Sequence, residues 1–225
     1  MLAKLLALAL PSPCLACRRP LPAGPARFAL CPACRSRLAA DGAGIRGLSL
    51  SGCERLHAAW IYAPPMDAVV AALKFRRLDY LGHHLATSIV ERLGGPLAGT
   101  DLVVPVPLHW RRRLGRGYNQ AAEIARPLAR LLGVPCREAL RRTRATRPQT
   151  GLGRGERRHN PRGAFRPAGT LCGERLLLVD DVVTTGSTLA AAASSLVAAG
   201  AGPIIALAAA RALPGAGRLP RPGEV

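Results

Sequence analysis

Acidic residues and aromatics are both scarce in this chain of 225 residues. Asp and Glu number 13 against 32 Lys and Arg, which leaves a formal net charge of +19. Such an excess favours polyanionic partners: phosphorylated sugars, nucleotides or nucleic acid. An Arg- and Ala-heavy composition is also what a GC-rich genome produces. Aromatics make up 4% of the residues. Tyr118, Phe165 and Trp110 are those near the basic segments, too few for a base-stacking platform. No apolar run approaches the roughly 18 residues needed to span a bilayer. The start, MLAKLLALALPSPCLAC, mimics a short signal peptide, but Cys14 stands where a lipoprotein box needs an apolar residue. A cytoplasmic protein is expected. There is no GxxxxGK[ST], which argues against a P-loop nucleoside triphosphatase.

What the chain does have is paired cysteines. Cys14-x-x-Cys17 and Cys31-x-x-Cys34 are separated by thirteen residues rich in turn formers. Each CxxC sets two thiolates on one tight turn, and two such turns complete a tetrahedral structural Zn²⁺ site. Metal also explains how so short a Pro- and Gly-rich segment can be ordered. Disulfides fit poorly with a basic chain that is not exported. Cys53, Cys136 and Cys172 lack a CxxC partner and read as small apolar fillers. The adjacent His83 and His84 do not share a helix face, so they read as ordinary polar or capping residues.

The most informative stretch is Arg175 to Thr188, RLLLVDDVVTTGST. A four-residue apolar run ends in Asp180 and Asp181, and Thr184, Thr185, Gly186, Ser187 and Thr188 lead into a helical pattern. This predicts a strand, a turn and a helix start. A continuous apolar strand suits a parallel sheet covered on both faces, and ligands of open α/β sheets sit at its C-terminal end. Hydroxyls, a glycine and free N–H groups at a helix start favour a phosphate. Two adjacent carboxylates there suit sugar hydroxyls or a hydrated Mg²⁺.

Elsewhere the pattern predicts a short helix over 2–10, a strand over 56–62 and helices over 66–75 and 80–93. A strand over 101–107 leads to an Arg-rich loop, then to a helix ending at Gly133 and kinked at Pro127. A strand over 134–142, a basic loop over 144–162 and a last strand over 202–210 follow. The expected organisation is an N-terminal helix and knuckle at 1–45, a linker at 46–56, an α/β domain at 57–213 and a disordered tail at 214–225. Strands alternating with helices indicate a parallel α/β sheet.

The acidic pair with its TTGST tail resembles the binding motif of type I phosphoribosyltransferases, which bind 5-phosphoribosyl-1-pyrophosphate (PRPP). Taken with YAPPMDAVVAALKF (62–75), VVPVPLHWRRRLGRGYNQA (103–121), RTRATRPQ (142–149), ERRHNPRGAF (156–165) and the knuckle, the chain resembles the ComF family, in its GntX-like branch. Many members carry a second pair of CxxC units; here Cys53 stands alone, so one zinc is expected.

That resemblance implies a type I phosphoribosyltransferase fold with a small zinc module. It implies that Asp180 and Asp181, the candidate catalytic pair, meet the ribose hydroxyls and that 184–188 wrap the 5′-phosphate. Lys74, Arg116, Asn119 and Gln120 fall on the pyrophosphate and hood side. Arg147, Gln149, Arg157 and Asn160 fall in a basic loop that folds over the ligand. The implied cofactors are structural Zn²⁺ and Mg²⁺ with PRPP. The implied partners are PRPP, single-stranded nucleic acid and DNA-uptake proteins. Pentosyl transfer to an unknown acceptor, binding without turnover and PRPP sensing all remain open.

Overall fold

The computed structural model describes residues 13–21, 26–40, 45–75, 78, 80–108, 117–143 and 163–213. The expected segments 2–10, 144–162 and 214–225 lie outside them.

A five-stranded sheet forms the centre. Strands β1 (Ile45–Leu50), β2 (Cys53–Ile61), β3 (Leu102–Pro105), β6 (Leu176–Val183) and β7 (Ile204–Arg211) lie in the order β1-β2-β7-β6-β3. Only β1 runs antiparallel to its neighbour. β4 (Leu140–Arg142) and β5 (Phe165–Pro167) form a separate antiparallel pair. The helices are α1 (Pro32–Ala40), α2 (Met66–Phe75), α3 (Tyr80–Leu93), α4 (Gln120–Leu132) and α5 (Ser187–Val197). The expected fold class, a mostly parallel sheet flanked by helices with a small cysteine module, is the one observed.

Alternation along β6 explains the two layers, because successive strand residues point to opposite faces. Leu177 and Val179 join a core with α2, α3, α4 and the cysteine module. Leu176 and Leu178 join a second core with α5, β4 and β5. Both strands at the centre are buried on both sides, hence their near-continuous apolar sequences. Pro105, which cannot donate to a ladder, sits on β3 at the sheet edge, where that is tolerated.

Three expectations are corrected. Residues 46–56, read as a linker, carry β1, a turn at Gly52 and the start of β2. Strong alternation is missing there, so pairing with β2 rather than local pattern makes the strand. The expected strand over 134–142 shrinks to β4 plus one bridge between Val103 and Cys136. β5 has three residues, too few to show a period in the sequence. Cys172 is exposed, whereas Cys53 and Cys136 do pack against the cores as expected.

Candidate functional site

β6 outlasts its neighbour on one side. Its pairing with β3 ends at Pro105 and Val179, with Val106 N–H donating to Val179 O at 2.8 Å. Its pairing with β7 continues through Asp180–Ala208 to Val183–Arg211. The two carboxylates therefore lie inside β6, not past its end, at the point where β3 departs. The chain leaving β3 leads to α4 on one face, and the chain leaving β6 leads to α5 on the other. Diverging connections of this kind open a crevice at the C-terminal edge, where open α/β sheets take ligands.

Asp180 and Asp181 are both half-buried. Each carboxylate accepts from the next backbone N–H: Asp181 N to Asp180 Oδ1 at 2.9 Å, Val182 N to Asp181 Oδ1 at 2.8 Å. Burial, and after it the Asp181 charge, push the Asp180 carboxyl up to about 8; the Asp181 N–H and the Lys74 ammonium pull the other way without offsetting them. Lys74, at the end of α2, sits 2.9 Å from Asp181 Oδ2 through its Nζ. Tyr118 Oη donates to the carbonyl of Leu73, next to Lys74, so the approach to α4 clamps the end of α2.

The loop after β6 keeps Thr184 and Thr185 exposed, with Ser187 and Thr188 half-buried. Thr185 Oγ1 lies 3.1 Å from Ser187 Oγ and accepts from Ser187 N at 3.4 Å. Gly186 is in the left-handed region (φ 80) as the residue before α5 and supplies no side-chain cap; Thr185 Oγ1 accepts from the first helix N–H instead. A loop of hydroxyls at a helix start capped by glycine has donors that an anion needs. Leu50 of β1 packs on Gly186. Sequence reasoning missed Leu50, since nothing local ties it to a loop more than a hundred residues away.

Asn119 and Gln120 open α4. Asn119 Nδ2 donates to Val106 O at 3.0 Å, closing the base of the loop between β3 and α4. Gln120 is buried. Lys74, Asp180, Asp181 and 184–188 thus share the sheet's C-terminal edge with the start of α4. Arg116, Arg147, Gln149, Arg157 and Asn160 lie outside the described residues.

The cysteine module is a second candidate site. The Sγ atoms of Cys14, Cys17, Cys31 and Cys34 all lie within 4.8 Å of one another. Cys17 and Cys31 sulfurs are 3.6 Å apart; a tetrahedral Zn²⁺ with bonds of about 2.3 Å would set them about 3.8 Å apart. Cys31 N–H donates to Cys14 Sγ at 3.4 Å. Burial opposes ionisation of Cys14, yet backbone donors of Cys17, Cys31 and Ala16 hold its thiol down at about 6. Four convergent sulfurs, one inclined to thiolate, fit a thiophilic metal ion.

The module docks on α3. Phe28 N–H donates to His84 Nδ1 at 3.0 Å, and its ring meets Trp60 edge-on at 5.8 Å. Arg27 bonds both Ser88 Oγ and Glu91 Oε2 at 2.7 Å. His84, expected to be an ordinary polar or capping residue, is an acceptor for the module's backbone.

Among the described residues no helix is long and apolar enough to cross a membrane. No protein-family model matches the chain. Several curated proteins do. The DNA utilization protein YhgH of Escherichia coli (strain K12) is 37% identical over 154 residues, 66% of this chain and 68% of its own length. Its namesake in Salmonella typhi is 35% identical over 190 residues, 78% of this chain and 81% of its own. Competence protein F of Haemophilus influenzae is 33% identical over 137 residues, 57% and 60% respectively. Among solved structures, an adenine phosphoribosyltransferase overlaps 60% of this chain and 73% of its own at 19% identity and TM-score 0.37. Orotate phosphoribosyltransferase from Aeropyrum pernix overlaps 77% and 78% at 22% identity and TM-score 0.37. At those TM-scores the structural overlaps carry no weight alone. The sequence relatives do: at 35% identity over most of both chains, with the acidic strand and cysteine module in place, this chain belongs to the ComF family.

Proposed function

We propose that this chain binds Mg²⁺-PRPP, or a related phosphoribosyl ligand, at the C-terminal edge of β6, and serves the use or uptake of DNA. The observation that carries the reading is the meeting of Asp180 and Asp181 with a hydroxyl-rich loop at the start of α5. Carboxylates accept from ribose hydroxyls; the loop's N–H and hydroxyl groups donate to the 5′-phosphate. Asn119 and Gln120 open α4 across the crevice and face the pyrophosphate side, together with Lys74. Mg²⁺, bound with the ligand, would neutralise pyrophosphate charge.

The DNA link comes from the relatives named for DNA utilization and competence. A net charge of +19 suits single-stranded DNA held by phosphate contacts rather than stacking. A cytoplasmic setting and contacts with DNA-uptake proteins belong to the same reading, as does structural Zn²⁺ in the cysteine module. Transfer of the phosphoribosyl group to an acceptor requires chemistry beyond binding.

Calorimetry with Mg²⁺-PRPP tests the reading. A hydrogen bond to a charged group contributes on the order of 1.5–3 kcal/mol, and Asp181 supplies at least one. Asp180→Asn with Asp181→Asn should therefore weaken binding by well over tenfold while the circular dichroism spectrum is kept. Equal affinity in the double variant would mean that the ligand sits elsewhere.

A further inference from the structure

Lys4 and Lys74 are the two lysines of this chain; the other 30 of its 32 basic residues are arginine. In a composition that writes Arg nearly everywhere, the cation that pairs with Asp181 among the described residues is a lysine. The difference is chemical. A guanidinium is a planar fork that grips a carboxylate bidentately, whereas an ammonium is a compact point charge on a flexible stem. Lys is the choice where an ion pair has to be broken and remade.

Asp181 is such a place. Its Oδ2 is 2.9 Å from Lys74 Nζ, and both side chains are mostly shielded, 23% and 14% exposed. While that pair stands, the carboxylate is occupied by a cation and is less available to a ligand hydroxyl. The end of α2 is fixed, because Tyr118 holds the Leu73 carbonyl. The ammonium can move by side-chain rotation without the helix moving. Releasing it requires a replacement anion, since a shielded charge without a partner is costly.

The geometry points to Lys74 as a transferable counter-ion: it neutralises Asp181 in the free protein and passes to the phosphoryl oxygens of the ligand as a sugar hydroxyl takes its place. The inference rests on the phosphoribosyl reading above and adds to it. Lys74 is a positioning residue that keeps the carboxylate and the ligand's pyrophosphate group from being bound independently. Ligands that carry both a sugar diol and a phosphoryl group are selected over those that carry one.

Inorganic pyrophosphate without metal is the probe, because it offers the anion and no hydroxyl pair. In the wild type it must compete with Asp181 for the ammonium and should bind weakly. Asp181→Asn frees the ammonium and should bind pyrophosphate about tenfold tighter or better, the scale of one charge-assisted contact. Lys74→Met alone should bind no tighter than wild type, and Lys74→Met with Asp181→Asn should lose the gain. No gain in Asp181→Asn, or a gain that survives in the double variant, would overturn the inference; the latter would mean that general removal of negative charge is enough. Asp181→Ser repeats the test should the Asn variant not fold. Absence of Mg²⁺-PRPP binding to wild type with the pyrophosphate cycle intact would sink the PRPP reading and leave the counter-ion transfer standing.

Discussion

Leu50 and Gly186 lie in direct contact across the sheet: a Cβ placed on Gly186 would come 2.6 Å from Leu50 Cδ1. The glycine is also left-handed, at φ 80, where a side chain is strained whatever the space. The antiparallel hairpin β1–β2 thereby seats the loop that leads into α5. A substitution Gly186→Ala meets both obstacles and should destabilise the protein by more than about 1 kcal/mol. Leu50→Ala in the same chain removes the clash but not the φ penalty, so the double variant should recover only part of the loss. Thermal melts of the three variants check this. Full recovery in the double variant would mean that backbone strain contributes nothing.

Asp180 gives the protein a pH-dependent weakness. Its folded carboxyl is raised from 3.8 to about 8, chiefly by burial and then by Asp181. An acid whose pKa is raised on folding is destabilising in its charged form, so stability falls as pH rises from about 4 to about 8 and levels off above. Asp180→Asn removes the ionisation. It should melt higher than wild type at pH 9, with the difference shrinking towards pH 4. A melting difference that does not change with pH would mean that Asp180 ionises freely in the folded chain. Such a cost fits a group kept for binding rather than for stability.

His84 ties the cysteine module to α3 as a neutral acceptor. Burial, then the neighbouring His83 and Arg27 charges, hold its pKa below 6.5. A histidine with a depressed folded pKa favours folding above its unfolded value, and that contribution is lost as pH falls below 6.5. His84→Asn keeps an acceptor but not the titration. Its melting temperature should be lower throughout, because the ring contacts with Phe28 and Tyr80 go. Between pH 6.5 and pH 5 it should fall less steeply than wild type; equal slopes would remove His84 as the source.

The four sulfurs predict about one Zn²⁺ per chain by elemental analysis of purified protein. Removing it with a chelator should lower the melting temperature, since metal bound to the native state stabilises it by mass action. Cys31→Ser with Cys34→Ser should leave no zinc. Zinc retained in that variant would place the metal elsewhere.

Elements whose residues announce them locally were legible in the chain alone. Four apolar residues, two acids, two valines and TTGST mark β6, the carboxylates and the turn into α5, because one uninterrupted stretch carries all three. The two CxxC units are likewise legible, the first on a turn and the second opening α1. Helical spacing marks α2, α3 and α4 within a residue or two of their ends. What joins these pieces is set by packing between distant segments. β2 pairs with β7, as Ala58 with Ala208, across most of the chain, and no local pattern encodes that register. The stretch 46–56 becomes a strand because β2 offers it an edge. Leu50 reaches Gly186, Lys74 reaches Asp181 and His84 accepts from Phe28 because the packed sheet brings distant segments together. Chemistry-bearing residues were legible one at a time. Their pairing is a property of the fold, since a contact between residues far apart in the chain depends on everything packed between them.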